Sequence, residues 1–161
     1  MHSLLVDFAK WLEGTPWGVM VRTSLWAYPF TQLIHFTGLS IWLGTILALD
    51  LRLIGVGKHK ETAAQLRDDL FAWNWIGFCI VVTGGFLLFS SSATAFISNI
   101  AFQWKLGILV PIALIWHIFV QSKSRMWGQS PDTPMIAKIS GFTEIVTWIC
   151  VIWAAVQIPN H

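Results

Sequence analysis

Charge is what this sequence has least of. Of its 161 residues, ten are Lys or Arg and eight are Asp or Glu, 11% in all. Soluble domains carry about a quarter charged residues. The deficit excludes an ordinary water-soluble domain, and a net charge of +2 is too small for a nucleic-acid surface. Cysteine is also scarce. Cys79 and Cys150 both fall inside apolar runs, so two reduced thiols packing as small buried hydrophobes are expected, not a disulfide. There is no CxxC, and without CxxCH covalent c-type haem attachment is excluded. The start, Met1-His2-Ser3-Leu4-Leu5-Val6-Asp7, lacks a basic n-region and a small-residue cleavage site, so no removable signal peptide is expected. No internal repeat is visible.

What remains is apolar. The chain is 55% hydrophobic, with eleven Trp, and its length fits one domain. Runs of about 20 apolar residues cross a bilayer as helices, because inside lipid every backbone group must bond within its own segment. The expected fold is all-α: a four-transmembrane-helix bundle with an N-terminal interfacial amphipathic helix. Residues 1–23 form the interfacial segment and 24–161 the membrane domain. The spans are placed at about 24–51, 70–90, 100–120 and 136–158.

Residues 3–13 read as a surface helix. Leu4, Leu5, Phe8, Trp11 and Leu12 share one face, and Ser3, Asp7, Lys10 and Glu13 the other. Thr15 is a candidate cap, with Pro16 at the first position of the next turn. Arg52, Lys58, Lys60, Arg67, Lys123, Arg125 and Lys138 fall on the side of the loops after spans one and three. Lys10, Arg22 and Lys105 fall on the side of the chain ends. The positive-inside rule then puts both termini outside: a multi-pass protein of a bacterial inner membrane with periplasmic termini. Trp26 and Trp104 suit an outer aromatic belt, and Trp73, Trp75 and Trp127 an inner one.

The run from Tyr28 to Arg52 holds His35 well inside a span, where an ionisable group is costly without a partner. Gly38 leaves space beside it for a partner helix or a flat ligand. His117 is the second intramembrane histidine. The span limits offset the two by roughly 10 Å in depth at 1.5 Å per residue. Two readings stand. Facing imidazoles can hold a haem, or each can hydrogen-bond a backbone carbonyl or a Thr and tie helices together. Asp50 and Glu144 are expected to pair with Arg52, Arg125 or Lys138, or else to belong to a proton path or quinone site. Lys105 either snorkels or meets a haem propionate. Gly84, Gly85 and Gly44 read as close-packing positions. Met1-His2 could chelate copper, or be a disordered end.

The run His35-Phe36-Thr37-Gly38 through Gly44 and Asp50-Leu51-Arg52-Leu53-Ile54-Gly55 resembles the first helix of a family of small bacterial four-helix membrane proteins of unknown function. Thr83-Gly84-Gly85-Phe86-Leu87-Leu88-Phe89 and Ala101-Phe102-Gln103-Trp104-Lys105-Leu106 are similar to its second and third helices. Trp116-His117 matches the aromatic-His pair that ends the third. The resemblance covers about residues 30–155. More loosely, the pattern is similar to the membrane domain of CopD-type copper-resistance proteins and to b-type cytochrome bundles. It implies a b-type cytochrome or electron-transfer subunit, at most one part of an oxidoreductase complex. Haem b would be held by His35 and His117, with Gly38 and Lys105 at the cofactor. Expected partners are the lipid bilayer, a membrane or periplasmic protein or a second copy, and quinone. A non-catalytic structural subunit and a copper or small-solute transporter are the rival readings. The second lacks a Met-rich or Cys-rich path.

Overall fold

The computed structural model describes residues 2–56 and 61–158. Among them there is no strand, and four helices are long and apolar enough to span a bilayer. Two short helices come first, α1 (His2–Glu13) and α2 (Pro16–Thr23). The first span is α3 (Ala27–Ile54) and the second α4 (Ala63–Ser91). After α5 (Ala93–Ser98) come the third span α6 (Ile100–Trp127) and the fourth α7 (Met135–Gln157). The side chains of Met1 and His2, and the loop residues Lys58, His59 and Lys60, lie outside what is described.

Local chemistry sets the ends. Thr15 caps α2, its Oγ1 accepting from Gly18 N. Gly55 ends α3 at φ 94°, a left-handed turn that leaves its N–H and that of Val56 bonded to Leu51 O. The second span starts seven residues before the position expected from hydropathy. Thr62 and Gln65 form a capping box at Ala63, and this reciprocal bonding carries the polar stretch 63–69 into the helix. The third span likewise continues past 120 to Trp127.

One irregularity lies within a span. α6 widens into a π-helical turn at Lys105–Leu109, with Val110 N bonded to Lys105 O. Pro111 follows, offering no N–H and a ring that crowds the carbonyl four residues back. The widened turn is how the helix accommodates it.

The helices pack closely where glycine allows. A Cβ on Gly38 would lie 2.7 Å from Val81 N, and one on Gly77 2.8 Å from Trp42 N. The space beside Gly38 is therefore filled by α4, not open to a flat ligand. A Cβ on Gly84 would lie 2.9 Å from His35 Cα. Gly44 meets nothing within 4 Å, so it faces away from the bundle and is not a packing position. Cys79 and Cys150 are free and exposed on the bundle surface, not buried as expected. Two of the five Trp assigned to aromatic belts pack inward: Trp127 is buried, and Trp75 sits against Phe78.

Each end of the bundle is closed differently. At the loop end, Arg52 is buried and donates to Glu61 O and Pro131 O, and Thr133 donates to Leu53 O. At the cap end, α1 lies on α5, with Ala9 and Leu12 buried against Ala93. Leu12 thus faces inward, while Leu4, Leu5, Phe8 and Trp11 point outward. Glu13 is not on a free polar face. Its Oε1 accepts from Thr94 N at 2.8 Å and Thr94 Oγ1 at 2.7 Å.

Candidate functional site

All four spans contribute to one buried polar centre near the loop end. His117 comes from α6, Glu144 from α7, Asn74 from α4, and Thr45 and Asp50 from α3. His117, Glu144 and Asp50 are each 1% exposed and Asn74 is fully buried. His117 Nδ1 lies 2.6 Å from Glu144 Oε1. His117 Nε2 lies 3.0 Å from Asn74 Oδ1. Asn74 Nδ2 donates to Thr45 Oγ1 at 2.9 Å, and Thr45 Oγ1 donates to Trp42 O at 2.8 Å.

These bonds fix the direction of the donors. The Thr45 hydroxyl spends its proton on Trp42 O, so it accepts from the Asn74 NH2. Asn74 then turns its oxygen to His117, and His117 Nε2 must carry a hydrogen. One proton remains between His117 Nδ1 and Glu144. It sits on the imidazole as half of an ion pair or on the carboxyl as half of a neutral pair. The nitrogen and oxygen atoms lie 2.6 Å apart, and both states have the same net charge, so transfer between them would leave the net charge of the apolar interior unchanged.

Asp50 extends the centre toward the loop end. Its backbone lies against Gly141, one turn from Glu144 in α7, and its carboxyl is close enough to Glu144 to interact directly. Neither Asp50 oxygen has a donor in ordinary hydrogen-bond geometry among the described residues. A proton carried by one of the two carboxyls is the donor this arrangement calls for. Two buried carboxylates side by side would repel without a cation between them. The expected cations are occupied elsewhere: Arg52 holds loop carbonyls, and Arg125 pairs with Asp68 at 2.8 Å. None of Arg52, Arg125 and Lys138 bonds to Asp50 or Glu144 among the described residues. The expected interfacial ion pairs are therefore replaced by a buried acid–acid–imidazole line.

Aromatic rings wall the centre. Trp42 and Trp75 each lie 6.1 Å from the His117 ring, and Trp148 lies 4.6 Å from Trp42, between centroids. They keep water away, which strengthens the polar contacts inside.

The structure does not bring His35 to this centre. His35 packs at the level of Gly84, and its Nδ1 lies 2.9 Å from Val81 O. His117 packs at the level of Asn74. Ten residues of α4 separate these levels, roughly 15 Å at 1.5 Å per residue. Two imidazole nitrogens on one iron would lie roughly 4 Å apart by ordinary metal–imidazole bond lengths. Both nitrogens of His117 are already engaged. These residues do not fit a haem shared by His35 and His117. Among the described residues, no three His, Cys, Asp or Glu side chains converge as a metal site.

Asn74 and Thr45 are the members that sequence reasoning missed. The signal was present: Asn74 interrupts an apolar run between Trp73 and Trp75, and a buried amide needs a partner.

The fold and centre define an integral membrane bundle with a protonatable interior. By sequence the chain belongs to a family of unknown function, DUF6644, whose model matches residues 8–158. No curated protein and no solved structure matches it.

Proposed function

We propose that this protein is a proton-handling membrane subunit. It takes up a proton at the Asp50–Glu144–His117 centre, holds it out of water, and serves a proton-coupled electron or solute transfer. The contact that carries this reading is His117 Nδ1–Glu144 Oε1 at 2.6 Å, with side-chain exposures of 1% and 2%. Ionisable groups at such depth are costly, and proton relays are one of the few uses that retain them. The line from Asp50 through Glu144 to His117 starts near the loop end, so protons enter from that side. The electron-transfer role suggested by the sequence is compatible with this centre, but it requires iron elsewhere than between His35 and His117.

The orientation follows from the charge bias: loop end in the cytoplasm, cap end in the periplasm of a bacterial inner membrane. Reporter fusions after Gln129 and after His161 read it directly, the first cytoplasmic and the second periplasmic. The exposed row Leu4, Leu5, Phe8 and Trp11 then rests in the outer leaflet.

Infrared spectroscopy of protein reconstituted in lipid tests the proton centre. The expected result is a carboxylic-acid carbonyl band at neutral pH that shifts in D2O and is altered by both Asp50→Asn and Glu144→Gln. A wild-type spectrum without that band, or a band that never exchanges with D2O, would overturn the reading.

A further inference from the structure

The proton centre is shut off from the loop end by an apolar plug. Every span contributes to it loopward of His117, Glu144 and Asp50: Leu53 from α3, Ala63 from α4, Val120 and Trp127 from α6, and Ala137 from α7. Leu53, Ala63, Val120 and Ala137 are fully buried. Leu53 lies one turn past Asp50 on the same helix. Both meet α7 at one place, since a Cβ on Gly141 would lie 3.0 Å from Asp50 O and 3.4 Å from Leu53 Cβ. With Leu53 seated, Asp50 is 1% exposed and has no contact with water at the loop end. On the cap side the centre meets the apolar group of Trp42, Ile46, Ala113, Trp148 and Val151.

The loop between α6 and α7 fastens the plug. Thr133 Oγ1 donates to Leu53 O at 2.6 Å, so Leu53 is both a member of the plug and an anchor of the loop. Arg52, its neighbour, donates to Pro131 O from Nη1 and Nη2, each at 3.3 Å. The same guanidinium donates to Glu61 O from Nε at 3.1 Å and from Nη2 at 3.0 Å. One side chain thus ties the loop to the residue just before the Thr62 cap of α4.

These fastenings are few. Gly128 is locked against α4, its carbonyl accepting from Ala64 N at 3.1 Å. From Gln129 to Asp132 the chain is exposed and outside any helix. Among the described residues, 129–133 are hydrogen-bonded to the rest of the bundle only through Arg52 and Thr133, and internally only from Ser130 Oγ to Asp132 O. Arg52 has no carboxylate within ion-pair distance among them, so a buried cation rests on two backbone carbonyls alone. Segments with few bonds and little burial open at lower free energy than the helices around them.

We propose that this loop is a strap that gates the proton centre. With Arg52 and Thr133 bonded, the centre is shut. When they release, Leu53 loosens and Asp50 meets water from the loop end. The purpose of the strap rests on the proton reading, but its geometry does not.

The test reads access in full-length protein in lipid nanodiscs. Asp50→Cys places one thiol in a background of Cys79→Ser and Cys150→Ser, and a charged, water-soluble methanethiosulfonate is the probe. Labelling should be slow with the strap intact. Arg52→Met and Thr133→Val should each speed it, Arg52→Met by about tenfold or more, the loss of hydrogen bonds from a charged donor. Gly38→Ala crowds α3 against α4 farther toward the cap end. It controls for general loosening and should label as slowly as the parent. Should Arg52→Met not fold, Thr133→Val decides alone. Equal rates in the parent and both strap variants would overturn the strap, as would a Gly38→Ala rate raised as much as that of Arg52→Met. In protein that keeps Asp50, Arg52→Met should also speed the D2O shift of the infrared band while leaving its frequency in H2O unchanged. Absence of that band ends the proton reading alone, and thiol labelling still judges the strap.

Discussion

Asn74 donates to Thr45 across the α3–α4 interface, Nδ2 to Oγ1 at 2.9 Å, and that bond decides what His117 can do. It turns the amide oxygen toward the imidazole and assigns one ring hydrogen permanently to Nε2. Only the Nδ1 side is left to exchange a proton with Glu144. An amide is suited to this task because it cannot itself ionise.

Asn74→Leu should therefore leave a buried N–H without an acceptor. The expected cost is about 1–3 kcal/mol, read as a lower thermal midpoint in detergent. Asn74→Asp should keep the acceptor and add a carboxyl, holding the proton on His117. In the 15N spectrum both His117 ring nitrogens should then carry a hydrogen.

Glu144 and Asp50 should behave oppositely. Glu144→Leu removes one partner of a buried pair, and such losses cost about 3–5 kcal/mol. Asp50→Asn removes a carboxyl whose oxygens lack ordinary donors and supplies an NH2 facing Glu144. Its stability should equal or exceed wild type. A large loss in Asp50→Asn would show that the Asp50 proton is bonded in a way an amide cannot replace.

Glycine positions separate packing from surface. Gly38→Ala sets a methyl 2.7 Å from Val81 N, against backbone that cannot swing aside, and overpacking of this kind costs about 1–3 kcal/mol. Gly44→Ala meets nothing within 4 Å and should be neutral or slightly stabilising, since alanine is the better helix former by up to about 1 kcal/mol. Parallel thermal melts of the two variants measure the difference.

The cap end has its own test. Leu5→Asp with Phe8→Asp changes only outward positions, so the four spans should still insert while α1 loses its hold on the lipid surface. Glu13→Ala removes both bonds to Thr94 and should speed hydrogen exchange at residues 93–98. If the double aspartate variant keeps α1 as protected as in wild type, the exposed row is not a lipid contact.

The bundle was legible because span length and apolar runs are local properties of the chain. His117 and Glu144 stood out as ionisable groups within or at the edge of apolar runs. That they bond each other did not, because it depends on which faces of α6 and α7 meet 27 residues apart. The same applies to Asp50: proximity in sequence suggested Arg52 as its partner, yet Arg52 points to the loop carbonyls. Depth was read correctly in kind for the two histidines, which were offset in sequence and are offset along the helices. The start of α4 was missed because a capping box outweighs hydropathy at Ala63. The inward turn of Trp75 follows from its neighbours Phe78 and His117, which no single-helix pattern reveals.

The Glu13–Thr94 clasp joins positions 81 residues apart. During synthesis α1 emerges before α5, and its anchoring partner does not exist until the second span has passed. At roughly 5–20 residues per second, that is a wait of about 4–16 s. Through that interval α1 lacks the two hydrogen bonds that Glu13 makes to Thr94. α1 is thus made before both spans of the first helical hairpin and is clasped only after the second of them.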